Sequence, residues 1–172
     1  MKNFLVLAVL CAALVAAGCA PKVAAPKMAS GDPAALFILT DRGITADMDE
    51  KQVQQLNQIG NYMDKQLLRL AQKSGYQANL ISSRDQFTKA SGEYLLSVTI
   101  KKYNPGNKAA RMLIGFGAGA VSMDTHYELF GKGADALLAN DDGVGSSRDW
   151  YFVVNKLNEK TLAAVTDRLN QI

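Results

Sequence analysis

Histidine is almost missing from this sequence: His126 is the only one in 172 residues. It falls on the polar side of an alternating segment, so neither a Ser-His-Asp triad nor a multi-histidine metal site is expected around it. Cysteine is nearly as scarce, with Cys11 inside an amino-terminal apolar run and Cys19 at its end. Neither is placed to staple a folded core, which must be held by packing alone. A surplus of one charge is lacking too. Nineteen basic against 16 acidic residues, without Lys/Arg clusters, leave no electrostatic footprint for nucleic acid. Carboxylates are scattered over presumptive helix faces and loops, whereas general acid-base chemistry needs two converging on a cleft. Asn140-Asp141-Asp142-Gly143 has neither the alternate-position ligands nor the closing glutamate of a calcium loop. These absences lead to the expectation of a protein without catalytic residues, metal or cofactor.

The amino terminus is rich in information. Met1-Lys2-Asn3 carries one positive side chain, and FLVLAVLCAALV, residues 4–15, is an apolar run too short to cross a bilayer as a helix. It ends in Ala16-Ala17-Gly18-Cys19, small residues directly followed by cysteine, which resembles the lipobox of bacterial lipoproteins. The expected organisation is a signal peptide over 1–18, a lipidated flexible tether over 19–34 and a single α+β domain over 35–172. The tether is rich in Pro, Ala and Lys, as a spacer should be. Each acyl methylene buried contributes about 0.8 kcal/mol, so two or more chains on Cys19 would hold stably in the bilayer. Ala20, where inner-membrane lipoproteins tend to carry Asp, resembles the outer-membrane class, facing the periplasm.

Along the remaining chain, ALFILT (35–40) is a continuous apolar run suited to a buried strand. A long helix is expected next, with an Asp47/Glu50 capping box and an apolar stripe at Val53, Leu56, Ile59, Met63, Leu67 and Leu70; its Gln- and Lys-rich side should be solvated. YQANLI (76–81) reads as a strand that completes a β-α-β unit. EYLLSVTIKKY alternates Tyr94, Leu96, Val98 and Ile100 against polar residues, and VSMDTHYELF does the same with Met123, Thr125, Tyr127 and Leu129. Gly131-Lys132-Gly133 turns the chain into ADALLA, residues 140–147 read as a loop, and Ser146 with Asp149 should start a second helix. Its apolar face holds Trp150, Val154, Leu157, Val165, Leu169 and Ile172. The fold class expected is α+β: a two-layer sandwich of about five strands, mixed and mostly antiparallel, with two long amphipathic helices.

RMLIGFGAGAVSM, residues 111–123, is the oddest stretch. A Walker loop would end in Gly-Lys-Ser/Thr, and a dinucleotide fingerprint would lead into a helix; here Gly115, Gly117 and Gly119 alternate and lead into a strand. In an extended chain the three share one bare face, while Ile114, Phe116, Ala118 and Ala120 share the other. Bare faces mark a bulge or the close approach of a neighbour, either within the monomer or from a partner reaching Arg111, Gly115, Phe116, Gly117 and Gly119. The stretch 93–121, with Gly106 and Arg111 in a Gly-x-x-x-x-Arg spacing followed by Gly-Phe-Gly-Ala-Gly, resembles the signature of an uncharacterised bacterial lipoprotein family, domain of unknown function 4410. The resemblance implies a lipobox and this β-α-β start, and brings no activity with it. The functional expectation is a non-enzymatic structural or accessory subunit of an envelope assembly, partnered by the bilayer through Cys19 and by an envelope protein or further copies of itself. The other reading is a binding module holding a small apolar or peptide ligand between sheet and helices.

The lipobox reading requires a thiol at one position. Replacing Cys19→Ser should abolish palmitate incorporation in growing cells and leave the precursor unprocessed; label retained by the variant would refute it.

Overall fold

The computed structural model describes residues 24–27, 31–107 and 119–172. Its elements run β1 (Ala35–Asp41), α1 (Glu50–Ser74), β2 (Gln77–Leu80), a 3-10 turn (Arg84–Gln86), β3 (Glu93–Asn104), β4 (Val121–Phe130), β5 (Ala136–Ser146) and α2 (Trp150–Leu169). The strands form one mixed sheet in the order β2-β1-β3-β4-β5. β1 pairs in parallel with β2 and β3, and the long strands β3, β4 and β5 pair antiparallel. The α+β sandwich expected from the sequence is the fold observed.

The apolar alternation chooses the face that the helices cover. Leu36 and Ile38 of β1, Leu96, Val98 and Ile100 of β3, and Met123, Tyr127 and Leu129 of β4 are each at most 3% exposed. They meet Leu56, Ile59, Met63 and Leu67 of α1 and Val153, Val154, Leu157 and Val165 of α2 in one core. Burying a side chain of this size contributes about 2 kcal/mol, so the layer stands without a staple. Polar groups lock the two helices side by side and running the same way. Tyr62 Oη and Asn155 bond at 3.2–3.3 Å, Asn158 Nδ2 donates to Met63 O at 3.0 Å, and Tyr76 Oη donates to Thr166 Oγ1 at 2.8 Å. Burial pushes the Tyr76 phenol up from its ordinary pKa.

Several expectations shift. The capping box of α1 uses Asp49 and Gln52, whose side chains each accept the other's backbone N–H at 2.7 and 2.9 Å. Asp47, two residues earlier, accepts the Thr45 hydroxyl instead. Gln55 is half-buried rather than solvated, because Tyr103 lies over it and the two side chains bond at 3.3 Å. Gly60 joins the buried face because Arg42 lies across it: a Cβ there would sit 2.6 Å from Arg42 Nε. The guanidinium bonds Thr40 O, Asn61 Oδ1 and Asp64 Oδ2. Helix α2 starts about one turn later than the Ser146/Asp149 box implies. Asp149 is the N-cap, accepting Phe152 N–H at 2.9 Å, and Ile172 lies past the helix end, 63% exposed.

The largest departure is β5. Asn140 to Ser147 reads as loop from its Asp and Gly residues, yet β5 continues to Ser146, paired with Val121. Strand propensity is weak against pairing demand: β4 needs an antiparallel neighbour, and the Asp side chains of β5 find partners, Asp141 on His126 and Asp142 on Lys160. On the uncovered face, Phe87, Leu95 and Phe130 form a small second cluster with Phe37, Leu39 and Ile81 at one end.

Leu67 is fully buried and Lys65 exposed. Leu67→Asp should lose about 4 kcal/mol or more in urea melts, from an unpaired charge in the core. Lys65→Ala should stay within about 0.5 kcal/mol.

Candidate functional site

Of the residues singled out in the glycine-rich stretch, Arg111, Gly115, Phe116 and Gly117 lie outside the described residues, as does Cys19. Gly119 is described, and its surroundings are specific. It sits at φ +66°, Gly106 sits at φ +72°, and the two face one another where β3 leaves the sheet and β4 enters it. A Cβ on either would come within 2.4 Å of backbone oxygen on the other strand: Asn107 O from Gly119, and Gly119 O from Gly106. Asn107 N–H donates to Gly119 O at 2.9 Å. The two glycines thus make a neck, backbone against backbone in left-handed conformations that a side chain would strain. Gly106 earns its place in the Gly-x-x-x-x-Arg spacing by this geometry.

The neck and the tether occupy opposite ends of the sheet. Ala25 N–H donates to Ser74 O at 2.7 Å, the carboxyl end of α1, beside the start of β1. Strand β3 then runs for 12 residues to the neck, a length of roughly 35–40 Å at about 3.3 Å per residue. An anchor attached through the tether would therefore enter at one end of the domain, and the segment carried by the neck would leave at the other.

The uncovered sheet face holds a row that sequence reasoning missed. Register places Thr99, His126 and Asp141 side by side on β3, β4 and β5, with His126 Nδ1 and Asp141 Oδ1 3.0 Å apart. The missing signal was β5 itself: with 140–147 read as loop, nothing put Asp141 opposite His126. The row contains a hydroxyl, an imidazole and a carboxylate in order, but it lies on a flat surface, with the Asp141 side chain 78% exposed. Nothing there would exclude water or hold a reacting carbonyl, so its chemistry is that of a solvated side-chain contact.

The sheet's two edges differ. β2 has four residues; β5 has eleven, ALLANDDGVGS, without Lys or Pro. Among the described residues no strand pairs with the outer side of β5; Arg168 Nε caps one of its carbonyls, Leu137 O, at 2.8 Å. The charges on this long edge are Asp141 and Asp142, engaged with His126 and Lys160. No helix among the described residues is long and apolar enough to cross a membrane, and no group of three or more His, Cys, Asp or Glu among them is placed to hold a metal ion.

The sequence profile of the family described as Domain of unknown function (DUF4410) matches residues 22–170. No curated protein matches the sequence. Among solved structures, a point variant of PelC from Paraburkholderia phytofirmans, crystallised as a dodecamer, is similar in fold at TM-score 0.55 and 12% identity, over 83% of this chain and 95% of that one. A PelC dodecamer in another crystal form gives 0.53 and 13%, over 83% and 93%.

Gly119→Val should cost about 2–3 kcal/mol of stability, from strained backbone and collision with Asn107. Gly133→Ala, in open space, should melt like the wild type; equal melting of both variants would remove the neck.

Proposed function

The chain belongs to the DUF4410 family, and on that premise we propose that it is a non-enzymatic structural subunit of an envelope assembly, lipid-anchored at Cys19 to the outer membrane on its periplasmic side and associating with further copies of itself. The observation that carries this reading is the outer edge of β5, eleven residues of strand with no Lys or Pro. An edge of that length left open invites uncontrolled pairing; covered by another subunit, it supplies main-chain hydrogen bonds for a controlled one. Self-association through β5 follows either a two-fold arrangement, β5 on β5, or a head-to-tail one against a different surface such as the shorter β2 edge, and the latter gives a ring where its rotation closes. PelC, of the same fold, crystallises as a dodecamer, which supports the multi-copy reading.

The opposed positions of tether and neck fit an anchored subunit. With one end held at the bilayer, the neck end is presented to whatever lies beyond. For the alternative, a small apolar ligand between sheet and helices, the middle of the layer offers no room, being filled by core side chains such as Leu36, Met63, Leu96 and Leu157, each at most 1% exposed; the space left is a cleft of about 140 Å³ at its rim, between Gln52, Gln55 and Leu56 of α1 and Tyr103 of β3.

Ala139 is exposed on β5, with Glu128 as its cross-strand partner, so Ala139→Lys adds an edge charge without loss of stability. The full-length protein in detergent should be multimeric by light scattering, and crosslinking in intact cells should give a ladder of copies. Ala139→Lys should reduce both at unchanged melting temperature. A monomeric wild type in both assays would overturn self-assembly, and an assembly indifferent to Ala139→Lys would overturn the β5 edge as its seam.

A further inference from the structure

The outer surface of the two helices carries a groove that the assembly reading does not use. α1 and α2 run side by side, and between them lies a cleft of about 230 Å³ lined by Gln66, Arg69, Leu70 and Lys73 from α1 and by Asn155, Asn158 and Glu159 from α2. Its chemistry changes along its length. Beside the cleft, where the middle of α1 meets the amino-terminal end of α2, Tyr62, Trp150 and Tyr151 pack into a cluster: Tyr62 stands edge-on to both others at 5.3 and 4.9 Å, and Trp150 stacks on Tyr151 at 3.8 Å. Tyr151 is 43% exposed, so aromatic surface reaches solvent there. In the middle are amides. Asn158, only 3% exposed, spends its Nδ2 on Met63 O, which fixes its orientation beside the cleft. Asn155, held by Tyr62 Oη, joins the aromatic cluster to the groove. At the far end stand Arg69 and Lys73, four residues apart on one face of α1. Neither is in an ion pair among the described residues, whereas Glu159, the acidic group of the lining, is bonded to Lys156 at 2.6 Å.

We propose that this groove binds an acidic glycan, an oligomer of uronate-type units, with one unit against the aromatic cluster beside the cleft, hydroxyls on the amides and the carboxylate of a further unit on Arg69 and Lys73. Each part answers to one element of that ligand. An aromatic face accepts the apolar C–H side of a sugar ring. Amides both donate and accept, as hydroxyls require. A guanidinium takes a carboxylate in paired charge-assisted hydrogen bonds, with an ammonium adding a point charge. Tyr62 to Lys73 spans eleven residues of helix, about 16 Å at 1.5 Å per residue, longer than one sugar ring, so the ligand is an oligomer whose units extend from rim to cations. Lys73 near the carboxyl end of α1 also offsets the helix dipole, but that role explains neither Arg69 nor the aligned amides.

The test uses the full-length protein in detergent and its single tryptophan, Trp150, as reporter. Oligogalacturonate should change Trp150 fluorescence saturably, and a neutral maltooligosaccharide of equal length should bind at least about tenfold more weakly, as loss of charge-assisted bonds requires. Arg69→Gln with Lys73→Gln should weaken oligogalacturonate at least about tenfold, Tyr151→Ala should weaken it measurably, and Lys101→Gln with Lys102→Gln, at exposed lysines of β3, should leave it unchanged. Equal binding of neutral and acidic oligomers, or wild-type affinity in the Arg69/Lys73 variant, would overturn the site. Polyglutamate binding as tightly as oligogalacturonate, with no effect of Tyr151→Ala, would show a bare cationic surface and overturn the sugar. The proposal does not rest on self-assembly: Ala139→Lys should keep the fluorescence response, so failure of one reading is separable from failure of the other.

Discussion

A sheet covered on one face only is the constraint that the rest of this structure obeys. Two parallel helices must bury the inward side chains of all five strands without a disulfide, so every core position counts, and the helix-to-helix register has to be fixed by something more directional than apolar contact. Tyr62 with Asn155, Asn158 with Met63 O, and Tyr76 with Thr166 supply it at three successive levels along the pair. Such bonds are short of partners when broken, since each would strand a half-buried or buried polar group. They hold one alignment of the helices, and that alignment creates the groove between them.

The sequence showed most of this layer because alternation and helical periodicity record burial directly. Leu96, Val98 and Ile100, or Leu56, Ile59, Met63 and Leu67, are apolar at the spacing of the face they hide, and the structure buries those faces. Where the reading shifted, the determinant was not periodic. Asp47 and Asp49 are both plausible caps, and only the Gln52 side chain reaching back decides between them. β5 carries Asn-Asp-Asp-Gly because its edge position and its partners His126 and Lys160 tolerate them, information that resides in residues fifteen or more positions away in the chain. Gly106 and Gly119 stand out as glycines in sequence, but that they face each other across a neck depends on the register of β3 and β4.

That register also gives the molecule two ends of different kind. The tether docks through Ala25 at the carboxyl end of α1, and the neck stands at the far end of β3. If the proposed anchor at the amino terminus holds, this arrangement would separate attachment from the neck by the length of a strand, and a change at the neck would act through backbone geometry without altering the core.

Edge and groove are likewise kept apart. β5 is the lateral limit of the sheet, while the cleft between α1 and α2 lies on the outer side of the helix layer, turned away from the sheet. A copy added at β5, as proposed, would prolong the sheet sideways and carry its own helix pair beside the first, which would leave each groove uncovered and lay successive grooves next to one another. A single cleft of about 230 Å³ with two cations would hold a short stretch of the proposed glycan weakly; a row of such clefts, repeated by the assembly, would hold a longer chain by multivalency without any new contact. The proposed self-association through the sheet edge and the proposed glycan recognition on the helix face would thus reinforce each other while depending on different residues.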